Sequence, residues 1–137
     1  MGEIVPANAF LNANMGLTRG MLNAGHWLYL FTNDFQPTYA SILADFTEAT
    51  FGGYVPRNLA NLFAAPIKMF DGHYVLPFPT QIYTVTDNTV ETVFGWYIRN
   101  GGSVRLSARL AIPVPVTIGL SFAVGVELHE EAIPIVV

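Results

Sequence analysis

The 137-residue chain contains no cysteine. Without thiols it forms no disulfide bond and no thiolate metal site, so any fold relies on noncovalent packing. A chain of this length buries enough apolar surface to fold as one domain without such cross-links. The absence of cysteine therefore excludes two kinds of structural support. It does not indicate whether the protein works in an oxidising or a reducing compartment.

Charge is also scarce, at 12% of residues against a usual share of about 25%. Only six residues are Lys or Arg, and the net charge is −4, so a phosphate-binding stripe for nucleic acid is not expected. Six basic and ten acidic side chains are few for the roughly 7,000 Å² that a folded monomer of this mass exposes. We expect part of the surface to be buried against other chains; a monomer with a Thr-, Asn-, Ser- and Gly-rich surface is the alternative.

Signals for secretion or membrane insertion are missing as well. Glu3 stands where a secretory signal carries Lys or Arg. The longest apolar candidate, residues 110–126, contains Pro113 and Pro115 and alternates with strand period. We therefore expect neither a signal peptide nor a membrane helix, and no membrane partner.

The most regular pattern in the chain is the alternation over residues 114–129. The apolar positions are Val114, Val116, Ile118, Leu120, Phe122, Val124, Val126 and Leu128. Between them lie Pro115, Thr117, Gly119, Ser121, Ala123 and Gly125, and then Glu127 and His129. Because successive strand side chains point to opposite faces, the pattern predicts β-structure with one core face. The other face stays small and uncharged up to Glu127, which suits close approach by another subunit.

A single strand over this stretch would span roughly 50 Å, which is too long for such a domain. We therefore expect a break near 113–115 or at Gly119.

The rest of the chain predicts an all-β fold, an antiparallel β-sandwich or jelly roll over residues 26–137. Strands are predicted at 27–32, 66–70, 74–77, 81–86, 90–99 and 104–112, with turns at 71–72, 87–88 and 100–102. In the last of these strands Val104, Leu106, Ala108 and Leu110 are predicted to face the core, and Arg105, Ser107 and Arg109 to face outward. One short helix is predicted over 38–46, and residues 1–25 are predicted to form an extended N-terminal arm.

Residue types that carry catalysis do not converge in this sequence. It has no Gly-x-Ser-x-Gly elbow, and its three histidines lack metal-ligand spacing on one element. Asp45 and Glu48 could form a carboxylate pair for glycoside hydrolysis, but their spacing around a helix end favours capping of loop amides. We expect no enzyme, no metal site and no cofactor.

Two neighbouring stretches form a distinctive motif. Residues 30–38 read LFTNDFQPT, and residues 44–54 read ADFTEATFGGY. The pair resembles small structural proteins encoded among the head genes of tailed bacteriophages, in which a similar segment precedes a β-rich remainder. Gly95-Trp96-Tyr97 matches a further strand of that group. The resemblance covers about residues 27–137, and only 44–54 is specific.

Physically, the 44–54 segment is typical of a structural loop. Asp45, Thr47, Glu48 and Thr50 can satisfy loop backbone groups with their side chains. The apolar and aromatic members can pin the loop to the sheets; they are Ala44, Phe46, Ala49, Phe51 and Tyr54.

The resemblance implies a virion structural protein, assembled in the bacterial cytoplasm, that decorates or cements the capsid or belongs to the head. We expect it to self-associate, as a trimer, and to bind another virion protein such as the major capsid protein. The predicted contact residues are Pro115, Thr117, Gly119, Ser121, Ala123 and Gly125, with Arg105 and Arg109 near polar contacts.

A carbohydrate- or receptor-binding jelly roll is the alternative from another class. It requires exposed aromatic rings beside Asp or Asn, and the candidates are Tyr39, Trp96 and Tyr97 near Asp87 or Asn100.

Overall fold

The computed structural model describes residues 25–38, 40–60, 67–68, 74–77, 80–125 and 127–129. Residues 1–24 of the predicted 1–25 arm and the predicted turn at 71–72 lie outside these residues. Within the described ranges the regular structure consists of β-strands and one 3-10 turn, and every strand pair is antiparallel. The predicted all-β class is confirmed, and the sandwich or jelly-roll arrangement stays a prediction.

The strands of the described residues form three sheets. The elements are β1 (Trp27–Phe31), the 3-10 turn (Leu43–Asp45), β2 (Arg57–Asn58), β3 (Ile67–Lys68), β4 (Tyr74–Pro77), β5 (Gln81–Thr84), β6 (Thr92–Asn100), β7 (Ser103–Pro115), β8 (Ser121–Val124) and β9 (Glu127–His129). The sheet orders are β2-β1-β6-β7, β3-β4-β9 and β5-β8. The predicted turn at 100–102 joins β6 and β7 as a hairpin, and Gly101 adopts a φ of 56° there.

The main core lies on one face of the four-stranded sheet. Leu28 and Leu30 of β1 alternate onto this face, because strand side chains have a period of two. The two-stranded β5-β8 ribbon packs over it, since Tyr83 and Val124 belong to the same buried cluster. The other fully described members are Ala49, Phe51, Leu59, Val85, Val93, Trp96, Ile98, Ala108 and Val116.

A second, aromatic cluster lies on the opposite face of the same sheet. Phe31 and Tyr97 project there, and the 33–46 loop brings Phe35 and Phe46 over them. The Phe46 and Tyr97 rings stack with centroids 4.5 Å apart, and Phe35 meets Phe46 edge to face at 5.0 Å. This part of the sheet is therefore covered on both faces.

Strand β7 lies at the edge of the four-stranded sheet and carries two register irregularities. Val104 pairs with Arg99 and Leu106 with Ile98, so Arg105 is an extra residue on β7. Val104 therefore packs against the aromatic cluster while Leu106 packs against the main core. The prediction that both face one core is wrong, because the bulge reverses the alternation. A second shift lies opposite Phe94, between Arg109 and Val114.

The alternating stretch 114–129 is broken as predicted. Strand β7 ends at Pro115, β8 begins at Ser121, and Gly119 adopts a φ of 83° in the turn between them. In this turn Leu120 N–H donates to Thr117 O at 3.0 Å and Gly119 N–H donates to Val85 O at 2.8 Å. Ile118, expected in the core, is 59% exposed because it lies in this turn.

The helix predicted over 38–46 is reduced to the three-residue 3-10 turn. Side chains satisfy the local amides in place of an i→i−4 ladder: Asp45 Oδ2 accepts from Ile42 N–H at 2.9 Å, and Ser41 Oγ accepts from Thr38 N–H at 2.9 Å. Short polar side chains compete with helix formation in this way.

The packing around Gly95 gives the first prediction. A Cβ at this position would overlap the carbonyl oxygen of Ala108 and lie 2.5 Å from the Phe31 ring. We expect Gly95→Ala to lower the free energy of unfolding by about 1–3 kcal/mol, measured by urea denaturation. Gly102→Ala is the control, because an added Cβ there meets nothing within 4 Å; equal stability of the two variants would contradict the packing argument.

Candidate functional site

The 44–54 segment lies alongside β1. Thr32 N–H donates to Thr47 O at 2.9 Å, and Ala49 N–H donates to Leu30 O at 3.0 Å. An isolated antiparallel bridge between Phe31 and Glu48 lies between these two bonds. The segment therefore extends the sheet along part of β1.

Asn33 fixes the start of this contact from the neighbouring loop. Its Nδ2 donates to Asp45 O at 2.8 Å, and its Oδ1 accepts from Thr47 N–H at 2.8 Å. The Thr47 backbone is thus bonded on both sides, while the Asp45 carboxylate caps Ile42. The side-chain amide works as a backbone surrogate that closes the gap between two loops.

Glu91 holds the middle of the segment from the residue before β6. Its Oε1 accepts from Thr50 N–H at 2.8 Å and from Phe51 N–H at 2.7 Å. Its Oε2 accepts from the Thr50 hydroxyl at 3.1 Å. Hydrogen bonds to an ionised acceptor are the stronger kind, so one carboxylate ties the segment to the four-stranded sheet.

Glu48 and Tyr54 close the segment on itself. The Tyr54 hydroxyl donates to Glu48 Oε2 at 2.9 Å and accepts from Leu30 N–H at 3.4 Å. Burial, and next the hydrogen bond to Glu48, raise the pKa of Tyr54. The two carboxylates considered for hydrolysis are therefore engaged with a backbone amide and with a tyrosine hydroxyl.

Gly52 and Gly53 bring the segment against β5. Thr86 N–H donates to Gly52 O at 2.9 Å. Gly53 has a φ of 92°, and a Cβ there would overlap the carbonyl oxygen of Thr84. Only glycine permits this approach, which places the segment between β1 and the ribbon.

Arg109, a predicted contact residue, anchors the 33–46 loop. Its guanidinium forms an ion pair with Asp34 at 2.6 Å, donates to Phe35 O at 2.9 Å and lies 5.0 Å from the Phe94 ring centroid. Arg105 is the exposed bulge residue of β7. The structure does not bring these two arginines together with the small residues of 115–125.

The predicted contact residues Pro115, Thr117, Gly119, Ser121, Ala123 and Gly125 are all exposed. Ser121 and Ala123 lie on the outer face of the ribbon, paired with Thr84 and Ile82 respectively. The Thr84 and Ser121 hydroxyls are 2.8 Å apart, and Ile82 is 62% exposed. We call Ile82, Thr84, Ser121 and Ala123 the ribbon face.

The aromatic rings proposed for sugar stacking are not available. Trp96 is 3% exposed and Tyr97 1% exposed, because each belongs to one of the two buried clusters. Tyr39 lies outside the described residues, and Asp87 and Asn100 are exposed. The carbohydrate alternative therefore loses two of its three rings.

Sequence reasoning missed Glu91, Ile82 and Thr84. Glu91 lies 40 residues from Phe51, and no local pattern connects them. Ile82 and Thr84 carry their own period-two signal, but their pairing with β8 depends on the fold.

In the part of the chain that the structure describes, no group of three His, Asp or Glu side chains could hold a metal ion. The described residues also contain no helix long and apolar enough to cross a membrane. His73 and the side chain of His129 lie outside the described set.

Comparison of the chain with protein-family models, with curated proteins and with solved structures found no match.

The Glu91 contacts generate the second prediction. We expect Glu91→Ala to lower the free energy of unfolding by about 2 kcal/mol, because two amides and a hydroxyl lose an ionised acceptor. Glu91→Gln should cost less, since its amide oxygen can still accept from Thr50 and Phe51. Urea denaturation of the three proteins measures the order; a Gln variant as unstable as the Ala variant would contradict it.

The buried tyrosines generate the third prediction, a loss of stability at alkaline pH. Burial raises the pKa of Tyr97 to about 12. It also raises the pKa of Tyr54 and of Tyr83, the latter opposed by the Arg57 charge. An unfolded chain ionises its tyrosines near pH 10, so the stability that these groups contribute is complete below pH 10 and is lost as the pH rises toward 12.

Denaturation midpoints should therefore fall from pH 9 to pH 11, and the fall should be shallower in Tyr97→Phe. Phenolate absorbance at 295 nm follows the ionisation directly. If Tyr97 ionised near pH 10 without unfolding, its burial would not govern the alkaline limit.

Proposed function

We propose that this chain is a structural protein of a tailed-phage virion that decorates or cements the capsid, self-associating and binding the shell through the ribbon face. The observation that carries the proposal is the exposed, charge-free surface formed by that face. It matches a role in binding through buried surface, because uncharged side chains have a smaller desolvation penalty on contact than charged ones.

The chemistry around the ribbon face supports this role. No charged residue occurs between Leu110 and Val126. The exposed Ile118 follows the end of β7, and the turn that holds it joins β8. The surface therefore combines large apolar side chains with small hydroxyl and methyl groups, which allow close backbone approach.

The 44–54 segment supports the phage setting, since it carries the motif that resembles phage head proteins. Its polar residues Asp45, Glu48 and Thr50 form hydrogen bonds within the protein. Such a use suits a rigid building block. A trimer on the capsid surface, in contact with the major capsid protein, is the arrangement that we propose.

Burial of 1,000 Å² of apolar surface contributes at most about 25 kcal/mol gross. Loss of translational and rotational freedom offsets much of it, by about 4–15 kcal/mol. Repeated contacts on a symmetric shell add avidity to a modest single contact.

The fourth prediction tests the ribbon face. Ala123→Arg places an unpaired charge in the contact, so its association with purified particles should weaken at least about tenfold. Gln36→Arg, an exposed position on the 33–46 loop, is the charge-matched control. Cosedimentation with particles and light scattering of the free protein measure shell binding and self-association separately.

Unchanged binding of the Ala123→Arg protein, with an unchanged melting temperature, would overturn the ribbon face as the contact. Absence of the wild-type protein from purified particles would overturn the virion assignment itself.

A further inference from the structure

Among the residues that the structure describes, the 33–46 loop covers only part of the sheet face that carries the aromatic cluster. The 33–46 loop covers Phe31 and Tyr97. Toward the start of β1 the same face presents Trp27, which is 40% exposed, and the partly buried Tyr29. Arg99 of β6 pairs with Trp27, and Asn58 of β2 pairs with it from the other side. We call these four residues the open sheet end.

Arg99 is held in a fixed orientation at the open sheet end. Its guanidinium carbon lies 4.4 Å from the centroid of the Tyr29 ring, which itself stacks on Tyr97 at 5.2 Å. Among the described residues, no carboxylate forms an ion pair with Arg99. The planar guanidinium presents paired N–H groups, the geometry that suits a carboxylate.

The residue types at this end are those that dominate protein contacts. Trp, Tyr and Arg are enriched among residues whose truncation costs most binding energy. Nucleic acid is disfavoured as the occupant, because the whole chain has six Lys or Arg and a net charge of −4. The surface fits an extended peptide that joins a carboxylate to apolar side chains.

The sequence carries such a peptide after β9. Residues 130–137 read EEAIPIVV, two adjacent carboxylates followed mainly by apolar residues. The acidic pair complements the charge of Arg99, and the apolar side chains complement Trp27 and Tyr29.

We propose that the open sheet end binds residues 130–137 of a second copy of this chain. The acidic pair contacts Arg99, and the apolar residues pack on Trp27 and Tyr29. The inference deepens the self-association in the proposed function and supplies it with a second contact, distinct from the ribbon face.

The experiment uses the absence of cysteine from the native chain. Two full-length single-cysteine proteins, Asn58→Cys and Ile133→Cys, are mixed free in solution under a mild oxidant, one of them isotope-labelled. We expect a mixed disulfide dimer to form faster than in the matched pair of Asn88→Cys with Ile133→Cys. Asn88 is exposed and belongs to neither the open sheet end nor the ribbon face.

Arg99→Gln in the Asn58→Cys protein should slow the mixed cross-link about tenfold, because a charged hydrogen bond is lost. Glu130→Gln with Glu131→Gln in the other protein should do the same. Arg105→Gln, at the exposed bulge of β7, is the control and should leave the rate unchanged.

Three results would overturn the proposal. These are a mixed cross-link no faster than that of the Asn88→Cys pair, a rate insensitive to Arg99→Gln, and a concentration-independent intramolecular cross-link in the Asn58→Cys/Ile133→Cys double variant. The last would assign the open sheet end to the tail of the same chain. The cross-linking experiment contains no phage particles, so a negative result does not bear on shell binding through the ribbon face. A negative cosedimentation result likewise does not bear on the contact between the open sheet end and residues 130–137.

Discussion

Burial of β1, on the main-core face at Leu28 and Leu30 and on the opposite face at Phe31, is the constraint on which the rest of the described structure depends. Leu28 and Leu30 enter the main core, and Phe31 enters the aromatic cluster. Because both faces are apolar, each needs its own cover, and the ribbon and the 33–46 loop provide them. The 44–54 segment then lies along β1 and joins the two covers. Glu91, Asn33 and Arg109 are the polar groups that hold these covers in place.

The sequence predicted the elements of this arrangement better than their partners. Local patterns and turn residues identified β1, β4 and the β6-β7 hairpin, because both are short-range signals. The length of the alternating stretch, with its proline and glycine residues, predicted the break before β8. The bulge at Arg105 is not encoded by that alternation, so Val104 was assigned to the wrong face. The prediction of a nine-residue helix was also wrong for a local reason, since the Ser41 and Asp45 side chains accept hydrogen bonds from nearby backbone amides.

In the candidate site, too, the sequence predicted local features and did not predict their long-range partners. The polar residues of 44–54 were recognisable as loop-bracing types, yet their main external partner, Glu91, comes from a distant part of the chain. The small residues of 115–125 were predicted to lie on one surface and are exposed. Only the β5-β8 register shows that Ser121 and Ala123 share a face with Ile82 and Thr84. A single sequence does not show which strands, distant along the chain, pair with each other.

The edge strand β7 has a consequence for how copies of this protein can assemble. A long, regular edge strand has unpaired backbone N–H and C=O groups that can pair with a strand of another molecule. Charged side chains often prevent such pairing, and this chain has few of them. Strand β7 instead has a bulge at Arg105, a second shift before Val114, and two prolines without N–H groups at its end. These features interrupt the regular row of backbone groups along β7, so another strand cannot pair continuously with it. Contacts through faces can close into a ring or cover a shell, whereas unlimited edge pairing produces fibres.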